Sequence, residues 1–243
     1  MHRWGREEGA LIALHGFTGG GLDFEALAAR LSVGVIAPDL PGHMGAPPAA
    51  MAEAVAQLRP LVSGRVLLGY SMGGRTALQV ACAEPVKALV LIGATPGIAD
   101  PIQRAARRAA DENLAARIEA IGLEAFLAEW SRKPIIATQD RIDPRWRLPM
   151  LARKHQHQTS GLAGSLRGMG TGAMVPVWDR LPAVPTLLIV GGEDGKFIAI
   201  AESMAARMAR AEVVRIPGAG HCAHLEDPER VGAAVDGFLH RVG

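Results

Sequence analysis

The chain's strongest chemical signal is a serine bracketed by glycines, Gly69-Tyr70-Ser71-Met72-Gly73-Gly74. A Gly-x-Ser-x-Gly run between a strand and a helix makes a sharp, strained turn that projects the serine oxygen beyond the carboxyl end of a sheet. The helix N-terminus behind it favours developing negative charge. A serine hydroxyl does little until a neighbour takes its proton. With this turn, the acid and then the histidine are expected later in the chain. His221 fits the base, at the end of the glycine-rich run Ile216-Pro217-Gly218-Ala219-Gly220-His221. His224 is its competitor, expected to pack or hydrogen-bond nearby. Asp194, in Gly191-Gly192-Glu193-Asp194, fits the acid that orients the imidazole, with Glu193 as the adjacent rival.

Acyl- or enolate-type chemistry also needs donors for an oxyanion. The run His15-Gly16-Phe17-Thr18-Gly19-Gly20 follows the first apolar segment, where such a loop belongs. The backbone N–H groups of Phe17 and Met72 are the expected donors. Gly19-Gly20-Gly21 has neither the Gly-Lys-Ser/Thr ending nor the dinucleotide spacing, so nucleotide binding is rejected. Asp39-Leu40-Pro41-Gly42-His43 reads as a structural turn close to the site.

The elements that must hold these groups are visible as short apolar runs. Residues 10–14, 33–37, 65–69, 87–92, 186–190 and 212–216 are rich in Val, Ile and Leu and end at Gly, Pro or Asp. They predict strands buried on both faces. Helical stretches alternate with them at 23–31, 51–61, 74–83, 200–210 and 229–239. That rhythm predicts an α/β fold with a mostly parallel sheet flanked by helices. It breaks between the fourth and fifth strands. Residues 105–121 and 124–130 are helical in pattern and nothing there alternates like a strand. A helical cap over 96–185 is therefore expected, inserted into a core formed by 1–95 and 186–243. The cap region is the more cationic part: residues 98–170 hold twelve Lys/Arg against eight Asp/Glu, net +4.

The 243 residues carry 49% apolar and 21% charged side chains, a globular composition. Net charge is +2, which argues against a nucleic-acid partner. Cys82 and Cys222 form neither a disulfide framework nor a zinc spacing. No apolar run is long enough to span a membrane and the first residues lack a signal-peptide core, so a cytoplasmic protein is expected.

Taken together, His-Gly-Phe (15–17), Asp-Leu-Pro-Gly-His (39–43), Gly-Tyr-Ser-Met-Gly-Gly (69–74) and Gly-His (220–221) make the chain resemble the α/β-hydrolase-fold superfamily from end to end. It resembles more narrowly the 2-succinyl-6-hydroxy-2,4-cyclohexadiene-1-carboxylate synthases, menaquinone-pathway lyases that eliminate pyruvate. That likeness rests on Gly-Tyr-Ser-Met-Gly-Gly-Arg (69–75), Pro96-Gly97 and Gln103-Arg104-Ala105-Ala106-Arg107. Phe126 with Trp130, Asp194-Gly195-Lys196-Phe197 and Ala219-Gly220-His221-Cys222-Ala223-His224 add to it. The opening hairpin of the fold is short or missing before Ala10, leaving six or seven strands.

The resemblance implies substrate contacts from Tyr70, Arg75, Arg107, Trp130 and Lys196, with a further cation from Arg153 if the register slips by one, or otherwise from Lys154. Arg is suited to such a substrate because its planar fork binds a carboxylate through two hydrogen bonds. The residues alone leave Arg107 as either a ligand or part of a solvated helix face, Arg75 as facing either the pocket or a buried acid, and Trp130 as plain packing. The implied activity is elimination of pyruvate from a cyclohexene polycarboxylate by a Ser-His-Asp triad, without cofactor or metal. The alternative is a serine hydrolase of a carboxylic ester or C–C bond. The partner would be that small polycarboxylate, with no nucleic acid or membrane, in a monomer or weak homo-oligomer.

Overall fold

The structure, a computed structural model, describes residues 1–243. Seven strands form one sheet in the order β1-β3-β2-β4-β5-β6-β7. They are β1 (His2–Trp4), β2 (Leu11–Leu14), β3 (Val35–Ala37), β4 (Val66–Tyr70), β5 (Ala88–Ile92), β6 (Thr186–Gly191) and β7 (Ala211–Ile216). Strands β2 to β7 run parallel, and β1 alone pairs antiparallel, His2 opposite Ala37. The six expected strands are all present. The seventh, β1, is the short opening strand.

Strands β2, β4, β5 and β6 are buried along their whole length. This follows from helices on both faces, and it is why they read as continuous apolar runs. In chain order the helices of the sheet unit are α1 (Glu25–Ala28), α2 (Met51–Val62) and α3 (Met72–Ala81). After β5 come α4 (Pro101–Ser131), α5 (Pro134–Ala137), α6 (Pro144–Lys154) and α7 (Thr159–Met169). The chain then returns to the sheet with α8 (Gly195–Ala205), α9 (Ala223–Glu226) and α10 (Pro228–Val242). One core lies on each face of the sheet, and a third, small one holds α4 and α7 together through Ala115, Ile118, Phe126, Leu127, Leu162, Ala163 and Leu166.

Helix α4 starts at Pro101, with Asp100 accepting from the Gln103 N–H at 2.7 Å, a side-chain cap on otherwise unpaired amides. It breaks at Gly122, whose φ of 79° is left-handed. The break divides it much as the sequence pattern did, at 105–121 and 124–130. No helix is long and apolar enough to cross a membrane.

Candidate active site

Strand β4 ends at Tyr70 and α3 begins at Met72, so Ser71 occupies the bend alone, at φ 51° and ψ −106°. A non-glycine residue in this region is strained, and the neighbouring glycines make it feasible. A Cβ on Gly69 would lie 2.4 Å from the Gly73 carbonyl oxygen, and one on Gly73 only 1.9 Å from that of Leu14. Strand and helix can approach this closely only without those side chains. The Ser71 N–H donates to the Ile92 carbonyl at 2.8 Å, tying the bend to β5.

Two loops from the far end of the chain complete the geometry. Asp194 caps α8, accepting from the Phe197 N–H at 3.4 Å. Its other carboxylate oxygen accepts from His221 Nδ1 at 2.6 Å. A carboxylate offers no proton there, so the imidazole carries its hydrogen on Nδ1 and turns the Nε2 lone pair toward Ser71 Oγ, 2.9 Å away. His221 is buried and its ring packs 4.5 Å from that of Phe197, which limits its rotation. Both rivals are engaged elsewhere. Glu193 pairs with Arg141 at the surface at 2.6 Å. His224 is buried between Tyr70 and Phe24, and burial pushes its pKa down to about 4.

Ser71 and His221 open into a cavity of about 850 Å³ that Phe17, Tyr70, Arg75, Arg107, Trp130 and Lys196 also line. Met72 is the first residue of α3, so its N–H lies among the helix's unpaired amides while its side chain packs under the sheet. Arg75 lines the cavity, and the buried Asp111 carboxylate is near enough to act on its charge without pairing with it. Nε and one Nη donate to the Met169 carbonyl at 3.2 and 3.1 Å, and no carboxylate pairs with it. Burial, and secondarily the nearby Arg107, lower its pKa to about 10, so it stays cationic at neutral pH. Arg107 is aimed by Asp111, 2.7 Å from its Nε. The second oxygen of Asp111 accepts from the Gly172 N–H at 3.0 Å. Trp130 stacks on Phe126 and meets Phe17 edge-on, and its buried indole N–H has no acceptor. Lys196 lies in the first turn of α8, its Nζ 5.6 Å from the Phe197 ring centre.

Arg153 is corrected by the structure. It does not line the cavity; Asp23 takes its guanidinium at 2.7 Å, a partner 130 residues away in sequence. Its neighbour Lys154 turns inward instead and donates to Gln139 Oε1 at 2.7 Å, and burial lowers its pKa. An ammonium can only donate, so this bond leaves the Gln139 amide N–H groups free, on a side chain that lines the cavity. The sequence reading missed Gln139. It lies between α5 and α6 with no motif of its own, and only the Lys154 contact singles it out.

The loop after β2 is held by His15. Its Nε2 accepts from the Leu40 N–H at 2.8 Å, and its Nδ1 donates to the Gly16 carbonyl at 2.8 Å. That carbonyl shares a peptide plane with the Phe17 N–H, which points the opposite way in a trans peptide. The turn around residues 39–43 therefore supports the site as expected, with Asp39 also accepting from the Gly21 N–H at 2.8 Å.

The sequence pattern of the alpha/beta hydrolase family matches residues 11–234. A Bacillus subtilis protein provisionally named 2-succinyl-6-hydroxy-2,4-cyclohexadiene-1-carboxylate synthase is 40% identical over 177 residues, which cover 71% of this chain and 65% of that protein. The synthase of that name from Enterobacter sp. is 32% identical, with 94% of this chain and 91% of that one covered. Among solved structures, MenH from S. aureus superposes with a TM-score of 0.93 at 28% identity, over 99% of this chain and 98% of that one.

Proposed function

The chain belongs to the alpha/beta hydrolase family, and on that premise we propose that it is a lyase that eliminates pyruvate from a cyclohexene polycarboxylate of menaquinone biosynthesis, giving 2-succinyl-6-hydroxy-2,4-cyclohexadiene-1-carboxylate. The observation that carries this reading is Arg75: a buried cation with no carboxylate at ion-pair distance, its neighbour Asp111 being bonded to Arg107, in the same cavity as Ser71 and His221. A buried charge without a direct counter-ion is costly, and a substrate carboxylate would offset it.

In this mechanism His221 Nε2 takes the Ser71 hydroxyl proton while Asp194 stabilises the imidazolium that forms. The serine oxygen then removes a proton from substrate carbon. The electron pair forms the new ring double bond as the ring C–O bond breaks, and the enolpyruvate expelled takes up the proton held by His221 to become pyruvate, restoring the neutral imidazole. The N–H groups of Phe17 and Met72 would receive the enolate-like oxygen, helped by the N-terminus of α3. Arg75 and Arg107 would hold carboxylates, with Tyr70, Trp130 and Lys196 shaping and charging the remaining wall.

The test is pyruvate release from the cyclohexene polycarboxylate, followed by a coupled reductase. Purified enzyme should release it, and Ser71→Ala should not. No release by the wild-type enzyme, together with rapid hydrolysis of simple aryl esters, would defeat the proposal. The same 2.9 Å contact between His221 and Ser71 would also serve covalent attack by a serine hydrolase. An acyl adduct on Ser71 trapped during turnover identifies that chemistry, and its absence fits proton transfer alone.

A further inference from the structure

Two imidazoles bridge the loop after β2 to the loop after β3, and both bridge in the same sense. Each accepts an N–H from the second loop and donates to a carbonyl of the first. His15 is a residue of the first loop. His157 is not. It comes from the turn between α6 and α7, 139 residues from its partner. Its Nδ1 accepts from the Met44 N–H at 3.2 Å. A carbonyl can only accept, so its proton is on Nε2, given to the Thr18 oxygen at 3.1 Å. No other protein group bonds either the Met44 N–H or the Thr18 carbonyl.

The residues joined in this way share a property. Three non-glycine residues of the chain have positive φ: Ser71, Thr18 at 62° and Met44 at 49°. Ser71 is the bend that presents the hydroxyl. The other two are the residues held by the two nitrogens of His157. A β-branched side chain such as that of Thr18 is poorly tolerated at positive φ unless its surroundings impose it. Thr18 directly follows Phe17, so its backbone rotation re-aims the peptide beside the proposed oxyanion donor.

We propose that His157 is a positioning residue: from the cap, it holds Thr18 and Met44 in their left-handed conformations and so keeps the Phe17 N–H turned into the cavity. This rests on the assignment of the Phe17 N–H as an oxyanion donor. His15 fixes the carbonyl before Phe17 and His157 the carbonyl after it, so the loop is clamped on both sides. The His157 ring also meets the edge of His43, and His43 meets Phe17, so the clamp continues into the cavity wall.

The test uses three variants of the full chain and two readouts. Labelling of Ser71 by a fluorophosphonate reports on the oxyanion donors whatever the natural substrate. Steady-state pyruvate release gives kcat and KM. His157→Gln keeps an N–H near the Nε2 position. His157→Asn keeps only an acceptor near the Nδ1 position, and His157→Ala keeps neither. Removal of one oxyanion donor costs roughly 100- to 1,000-fold, so misplacement of one should slow labelling and kcat by about 10- to 100-fold in the Asn and Ala variants. KM should stay within about twofold, and the Gln variant should return to within about threefold of wild type, the pattern of an interaction made mainly in the transition state. Labelling at the wild-type rate in folded Asn and Ala variants overturns the proposal. So does an equal loss in all three variants, which marks His157 as merely structural. If the Ala variant does not fold, the Gln and Asn pair decides the question. A wild-type enzyme that releases no pyruvate, yet shows the Gln–Asn split in labelling, refutes the reaction proposed above and leaves this inference standing.

Discussion

Arg75 holds its charge against burial with only a backbone carbonyl as partner. Replacing a buried charge by an apolar side chain of similar volume is often neutral or stabilising. Arg75→Met should therefore keep or raise Tm while lowering kcat/KM by about 10- to 100-fold, the range of a lost charge-assisted hydrogen bond. Calorimetry and kinetics on the same preparation separate the two effects. Asp194→Asn should lower kcat by about 10,000-fold with little change in KM, because the amide favours the wrong imidazole tautomer. Ser71, Asp194 and His221 were legible in the sequence because each stands at a glycine-rich stop after an apolar run, where neighbours fix its place. Arg153 and Lys154 were not. Adjacent helical residues differ by about 100° in direction, so one faces Asp23 and the other Gln139, and the sequence does not say which.

Elements sort in the same way. Strands β2 to β6 were legible because burial on both faces writes them as apolar runs, and β7, half-buried at the sheet edge, through Val213, Val214 and Ile216. Strand β1 was not, since His2-Arg3-Trp4 is no apolar run and exists as a strand only through pairing with β3. Helices α6 and α7 also escaped notice: Pro149 lies inside the first, and Gly161, Gly164 and Gly168 dilute the second. Their glycines have a packing reason, since a Cβ on Gly168 would lie 2.2 Å from the Ala49 carbonyl oxygen. Two substitutions test the element scale. At Gly122 a Cβ meets nothing within 4 Å, so Gly122→Ala should cost only the backbone strain at φ 79° and ψ 169°, a region almost confined to glycine, about 1–3 kcal/mol, seen as a Tm several degrees lower. Gly73→Ala meets the Leu14 carbonyl instead and should yield little folded protein, measured as the soluble fraction on expression.

At the scale of the whole molecule, four imidazoles are buried in neutral form. Burial is the leading cause that lowers the pKa values of His15, His43, His157 and His224. Each therefore binds fewer protons folded than unfolded, and stability rises with pH across the interval between the two values. The contribution is complete above about pH 6.5 and is lost as pH falls; for His224, at about 4, it amounts to about 3 kcal/mol. Urea midpoints should fall steadily from pH 7 to pH 4, and His224→Leu should flatten that slope by close to one proton. The sheet order has a consequence for the nascent chain. Strands β2 to β5 are adjacent in space, but β6, which covers the edge of β5, is encoded only after α4 to α7. At about 5–20 residues per second, a ribosome leaves that apolar edge bare for several seconds while the intervening helices are made. During this interval the polypeptide is most in need of a chaperone, and a premature stop codon there should yield aggregate rather than a smaller soluble fragment.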